Sequence, residues 1–324
     1  MSKLTDANLG FFTNRRQLLT RAGLIGAAAV GSGLLGMGKK NFAQAALQTA
    51  FGPKGHKFDV DDADILNFAL NLEYLEAEFY QRAAFGTGLS ATDTAGSGTK
   101  ASGTAGTVTG GSAVPFTSTV IAQYAAEIAT DELNHVRFLR DVLGKKAVAE
   151  PTIDLSTSFT NAAIAAGVIT AGQTFNPFAS DADFLLGAFI FEDVGVTAYH
   201  GAAPYLNHPA YLEAAAGILA VEAYHAGEVR TLLFGMGQDT PSLITAANQI
   251  SALRNAASAA ASTDTSEITD EGITNSTGDA NIIPADSNSL AFSRTFAEVL
   301  NIVYLGGASG AYGFFPDMLN GRIK

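Results

Sequence analysis

Asp131-Glu132-Leu133-Asn134-His135 and Val221-Glu222-Ala223-Tyr224-His225 decide how this chain is read. Each carries Glu-x-x-His inside a stretch whose apolar residues recur at helical spacing. Residues three apart lie on nearly the same face of a helix. Each stretch therefore offers one carboxylate and one imidazole to a common axis. A single Glu-x-x-His is weak, because it arises often by chance as a solvated pair. Two further stretches give the doubled motif its weight. Glu73 is followed seven residues later by Tyr80, and Glu192 seven residues later by Tyr199. Seven residues is close to two helical turns, so each Glu shares a face with its Tyr.

Periodicity outward from these residues predicts four long helices, over Asp59–Ala84, Phe116–Leu143, Asp183–Ala203 and Pro209–Phe234. Gly144, Pro204 and Gly235 follow three of them as stop signals. Gly86–Val114 is mostly Gly, Ser, Thr and Ala, has no period, and reads as an exposed loop. Lys145–Ser180 reads as a long crossover holding a short Ala-rich segment, Asn161–Thr170. Ser242–Ser262 and Ser293–Leu305 read as further helices, with a polar, irregular Thr263–Ser289 between them and a Gly- and aromatic-rich tail over Gly306–Lys324. The expected architecture is all-α: a four-helix bundle over 59–235, paired first with second and third with fourth across the crossover, followed by a helical and irregular extension over 236–324. The first and third helices are apolar nearly all round and should be buried.

The order Glu, Glu-x-x-His, Glu, Glu-x-x-His supplies four carboxylates and two imidazoles, the ligand set of two-metal bundle sites. Glu73, Glu132, His135, Glu192, Glu222 and His225 are the candidate ligands. Mixed oxygen and nitrogen donors suit two Fe or Mn ions without distinguishing them. Glu192 sits in Phe189-Ile190-Phe191-Glu192-Asp193-Val194, and Glu222 follows Ile218-Leu219-Ala220-Val221. A carboxylate buried in such surroundings is costly unless it is paired or bound to metal.

The halves also read as a divergent repeat. Aligning Glu73 with Glu192 puts Tyr80 on Tyr199, and aligning Glu132 with Glu222 puts His135 on His225 and Arg140 on Arg230. The counterpart of Glu76 is Gly195, so Glu73 is the ligand and Glu76 an additional ligand or a residue behind the ligands. Asp131 lies on the face of His135 and is placed to orient an imidazole. Its counterpart is Val221, so the two metal positions should be inequivalent. Tyr80 and Tyr199 read as core tyrosines bonded to a carboxylate rather than as redox groups.

Composition narrows the chemistry. The chain has 324 residues, no Cys, and a formal net charge of −12. Without Cys there is no disulfide, thiolate nucleophile, Fe–S cluster or Cys-ligated zinc. An acidic chain with no basic cluster beyond its N-terminus argues against nucleic acid as a partner. Asn14-Arg15-Arg16-Gln17-Leu18-Leu19, a weakly apolar stretch to Met37, and the small-x-small Ala43-Gln44-Ala45 resemble a Tat export signal over residues 1–45. This implies passage through the Tat translocase to a periplasmic or extracellular location; an uncleaved anchor is the alternative.

The motifs resemble the ferritin-like superfamily, in which bacterioferritin, rubrerythrin and manganese catalase share this layout. The similarity is closer to bacterial ferritin-like proteins related to plant desiccation-related proteins. It covers residues 59 to 320 and includes Leu72-Glu73-Tyr74-Leu75-Glu76-Ala77-Glu78-Phe79-Tyr80, Arg294-Thr295-Phe296-Ala297-Glu298-Val299-Leu300 and Gly313-Phe314-Phe315-Pro316. The long Gly/Ser/Thr loop and the tail beyond residue 235 depart from cage ferritins and argue against a storage cage. The resemblance implies redox handling of peroxide or O₂, a small-molecule oxidant, at a metal pair, as in manganese catalase. The alternative is a non-catalytic metal-binding or desiccation-protective protein. A vestigial, purely structural bundle is opposed by the intact six-residue set. A homo-oligomer is compatible with either function.

Overall fold

Asp61 caps the first helix, α1 (Asp62–Phe85), in a reciprocal box with Asp64: its carboxylate accepts from Asp64 N at 3.0 Å, and its own N–H donates to Asp64 Oδ2 at 3.1 Å. The box starts α1 later than the Asp59 expected from periodicity. Gly86, at φ 74°, ends the helix in the left-handed conformation that only Gly adopts cheaply. This computed structural model describes residues 60–96, 104–262, 270–286, 288–307 and 313–324. The segment read as an export signal lies outside them.

The described parts of the segment after α1 hold two short elements that its composition does not predict. Ser90 caps a single-turn helix, α2 (Ala91–Thr94), and Val108–Gly110 forms a strand, β1. β1 pairs in parallel with β2 (Ile153–Leu155) of the crossover, in the register Val108 opposite Ile153 and Gly110 opposite Leu155. Local polarity hid this strand because its partner lies in a distant segment. The second long helix, α3 (Thr119–Leu143), starts at Ser118 rather than Phe116. Asp181 accepts from both Thr117 N and Ser118 N, each at 3.2 Å, and so holds the entry chain extended.

The crossover carries α4 (Thr157–Ala166) and leads to α5 (Asp181–Ala202), capped by Ser180. Pro209 occupies the first position of α6 (Pro209–Gly237). Gly235 does not stop α6; the helix runs on to Gly237, where a side chain would fall 2.4 Å from Ile244. Pro241 starts α7 (Pro241–Ala261), and a Thr295–Glu298 capping box starts α8 (Phe296–Val303).

α1 packs on α3 and α5 on α6, and α1 meets α5 at the centre. The result is a ferritin-like four-helix bundle with extra C-terminal helices, α7 lying against α5 and α6. Both central helices are buried almost all round, as their apolar composition requires. Phe79 of α1 sits among Phe159, Phe178, Phe184 and Phe191. The tail closes this core: Phe314 packs on Phe159 and Phe191, and Asn320 exchanges two 2.9 Å hydrogen bonds with Asn71.

Behind α5 the sequence reading missed a buried ionic network. Asp193 accepts from Arg230 at 2.8 Å and from Arg254 at 2.6 Å. Asp270 accepts from Arg254 at 2.8 Å and from Arg294 at 2.6 Å. The network ties α6, α7 and the approach to α8 to the residue after Glu192. The repeat extends to it: Arg230 reaches Asp193, while its counterpart Arg140 donates to Tyr74, the residue after Glu73, at 2.5 Å. No described helix is long and apolar enough to cross a membrane.

Candidate metal centre

Glu73 of α1, Glu132 and His135 of α3, Glu192 of α5, and Glu222 and His225 of α6 are all buried. Ligand atoms of Glu73, Glu132, His135 and Glu222 all lie within 4.8 Å of one another. His135 Nδ1 stands 3.2 Å from Glu73 Oε2, 3.4 Å from Glu132 Oε2 and 3.9 Å from Glu222 Oε1. His225 Nδ1 stands 3.0 Å from Glu132 Oε1 and 3.6 Å from Glu192 Oε2. Both imidazoles thus turn Nδ1 inward, and Glu132 offers one oxygen to each. The ring centroids are 6.5 Å apart.

The tyrosines cross between the halves. Tyr80 donates to Glu192 Oε1, and Tyr199 donates to Glu73 Oε1. Each phenol shares a helix face with one Glu and bonds to the other, so the two central helices clasp each other through carboxylates. Burial, with the neighbouring carboxylates, pushes both phenols well above their ordinary range, so they stay protonated and donate. Asp131 also acts across the bundle. It lies 3.3 Å from Nε2 of His225 on α6, not beside His135 on its own helix. That leaves Nδ1 of His225 free to face the site, in the manner of a carboxylate orienting a ligating imidazole. Position 221 is Val, so the two halves are inequivalent here.

Glu76 is buried too, and Gly195 explains how both it and Glu222 fit. A Cβ at Gly195 would fall 2.1 Å from Glu222 Oε2 and 3.4 Å from Glu76 Oε1. Gly195 is therefore a site residue that the sequence signalled only as a gap in the repeat opposite Glu76. Glu78 of the same motif takes no part: it binds Arg82 Nε at 2.6 Å and Leu89 N at 2.7 Å.

The electrostatics fit a bound metal cation. Five buried carboxylates face two imidazoles, and among the described residues no Lys or Arg is ion-paired to any of them. Glu132 Oε1, Glu192 Oε2, both oxygens of Glu222 and His225 Nδ1 are buried without a hydrogen-bond partner. His225 Nδ1 and Glu132 Oε1 are near enough for a hydrogen bond but not directed as one, which is how two donors to a common cation stand. Native proteins rarely leave such atoms unsatisfied. Without a cation the cluster must hold protons. Burial pushes the Glu73 carboxyl up to about 7 and that of Glu192 up to about 8. It pushes Glu76 and Glu222 well above the carboxylate range, reinforced by each other's neighbours. Burial opposes charge on the imidazoles, but Glu73 and Glu132 raise His135 to about 11, and Glu132 and Glu192 raise His225 to about 10. Burial would raise Glu132 as well; the His135 hydrogen bond and the charge of both imidazoles beside it override burial and hold Glu132 ionised.

A pH dependence follows. Groups raised in the fold bind more protons there than in the unfolded chain, so stability falls as pH rises. The metal-free chain should lose stability progressively from about pH 4.5, where these carboxyls titrate when unfolded, to about pH 8, as Glu73 and Glu192 ionise through about 7 and about 8 in the fold. Added cation should reverse the loss and release protons. Thermal melts across this range, with and without Mn²⁺, and calorimetry in buffers of different ionisation enthalpy measure both effects.

A family model described as the ferritin-like domain matches residues 61–235. The chain belongs to the ferritin-like family. Its similarity to a desiccation-related protein of Craterostigma plantagineum is 35% identity over 72% of this chain and 74% of that protein. Its similarity to a ferritin-like catalase of Nesocodon mauritianus is 30% identity over 82% of this chain and 85% of that one. No solved structure matches this ferritin-like chain significantly. The matched span runs from the cap of α1 to near the end of α6, and so contains all six candidate ligands.

Proposed function

We propose that this ferritin-like protein holds two Fe or Mn ions and disproportionates hydrogen peroxide outside the cytoplasm. The observation that carries the reading is the inward-facing set of buried, unpartnered donors on Glu132, Glu192, Glu222 and His225. Glu73 and His135 would serve one ion, Glu192 and His225 the other, with Glu132 and Glu222 shared. A metal pair held there would supply the two-electron redox chemistry by which one peroxide is oxidised to O₂ and a second reduced to two waters. Two H₂O₂ give O₂ and two H₂O, so no external electron donor is needed. The protein's residues do the rest. Tyr80 and Tyr199 fix the carboxylates of Glu192 and Glu73, and Asp131 fixes His225. Glu76, buried at the Gly195 wall beside Glu222, is the carboxyl placed to lend a proton and take it back. The aromatic core around Phe79 excludes water. Similarity to a ferritin-like catalase supports this reading.

Protein purified from its own host should contain Fe or Mn and release O₂ from peroxide without added reductant. If metal-loaded protein binds its ions and releases none, the reaction is refuted. A metal-binding, stress-protective role, favoured by similarity to a desiccation-related protein, then replaces it. We further propose export through the Tat route, which carries folded, metal-loaded proteins. Replacing Arg15 and Arg16 together by Lys should retain the precursor in the cytoplasm, as fractionation and N-terminal sequencing would report; unimpaired export would refute it.

A further inference from the structure

Two apolar cavities lie in line between the carboxylate cluster and the surface. The outer one, of about 230 Å³, lies between α4, α5, α7 and α8, floored by Ile190, Ile250, Leu253 and Ile302. It opens at Ala165, Ala260 and Gly306, all exposed. The inner one, of about 20 Å³, is walled by Leu72, Val194, Val303 and Phe314, and ends at Glu76 and Gly195. Ile190 and Ile302 line both and so stand at the wall that the two cavities share. The inner end touches the cluster itself, because the missing side chain of Gly195 leaves Glu222 Oε2 at that wall.

The polar groups of the outer cavity are already spent. Arg254, in the outer cavity, donates to Asp193, Asp270 and the Phe189 carbonyl, and Asn301 Nδ2 donates to the Ala257 carbonyl at 2.7 Å. A cavity so lined gives water too few partners to hold it and favours apolar guests. Water and peroxide need hydrogen bonds that this route lacks. The edge where Asp131 is part-exposed beside His225 offers them.

We propose that the two cavities form an apolar passage for dioxygen between the carboxylate–histidine cluster and the surface at Ala260 and Gly306. The inference rests on the peroxide-handling reading for its direction, outward as product, but not for its existence. Ile190 and Ile302 form the constriction, which side-chain rotation opens transiently.

Xenon tests the passage without any catalysis, since it enters dry apolar cavities. Crystals of the full chain under xenon pressure should show one xenon against Ile250 and Leu253 and another against Val194 and Phe314. Ala257→Phe, which fills the outer cavity away from every candidate ligand, should remove the outer xenon and deplete the inner one. The same variant should keep its metal content. Dioxygen should oxidise its Fe(II)-loaded form roughly threefold or more slowly, as expected when access limits the rate. An inner cavity without xenon in the wild type overturns the passage whatever the activity. So does an unchanged oxidation rate in Ala257→Phe with the outer cavity filled. Xenon in both cavities and slowed oxidation, in a protein that releases no O₂ from peroxide, upholds the passage and sinks only the proposed reaction.

Discussion

Glu132→Gln should give a folded, helical protein that no longer holds a metal pair. Glu132 is the one carboxylate approached by both imidazoles, through Oε1 at 3.0 Å and Oε2 at 3.4 Å. An amide keeps the shape but removes the charge and half the donor capacity. Changing a group that merely orients a ligand lowers metal affinity by about 10–100-fold, so loss of a shared ligand should exceed about 100-fold. The bundle survives because its apolar core is large and the substitution changes none of it. The metal-free variant should nonetheless be less stable in acid. Without Glu132 the folded imidazoles fall from about 11 and about 10. Less of the stability that the charged imidazoles contribute below those values then remains, and the deficit is fully present in acid. The cost of an uncompensated buried charge is about 3–5 kcal/mol. Metal analysis, circular dichroism and melts at pH 5 and pH 8 separate the effects. Full metal content in Glu132→Gln would exclude Glu132 as a shared ligand.

Gly195→Ala is the second large effect, and it comes from a residue with no chemistry of its own. Ala is the better helix former by about 1 kcal/mol, so propensity alone predicts a stabilised α5. The site predicts the reverse. The new methyl would fall 2.1 Å from Glu222 Oε2 and 3.0 Å from its Cδ. Something must move, and the carboxylate, surrounded by buried groups, has nowhere to go but into the cluster or towards Glu76. Metal affinity and peroxide turnover should both drop at least about tenfold, the scale of a misplaced ligand. Far-ultraviolet circular dichroism should be unchanged. Unaltered metal affinity in Gly195→Ala would mean that Glu222 is not held at that wall.

These two residues show what a sequence displays and what it withholds. Glu132 was legible because a helix converts a spacing of three into a shared face, and a second copy ninety positions on repeats it. The bundle and its crossover were legible for the same reason, since apolar periodicity is written locally. Gly195 was not, because its role is the space it leaves for a side chain of another helix. Only its misfit in the repeat, opposite Glu76, hinted at it. The same limit applies to Asp131, read beside His135 of its own helix but found at His225 of α6. It applies to Tyr80 and Tyr199, whose carboxylate partners are exchanged between halves. The β1–β2 pair and the Asp193–Arg254–Asp270–Arg294 network join segments far apart in the chain, and neither leaves a periodic trace. Gly235 misled as a stop signal: α6 runs three residues past Phe234 to Gly237, which packs close against Ile244.

The central claim is a two-ion site built by six residues. Crystals of protein loaded with Mn²⁺ or Fe²⁺, measured on both sides of the metal absorption edge, test it most directly. Two anomalous peaks about 3.5–4 Å apart are predicted, both within bonding distance of Glu132 and Glu222. One should lie beside Glu73 and His135, the other beside Glu192 and His225. A single peak, peaks away from the bundle centre, or any two of the six side chains turned away from the ions would contradict it.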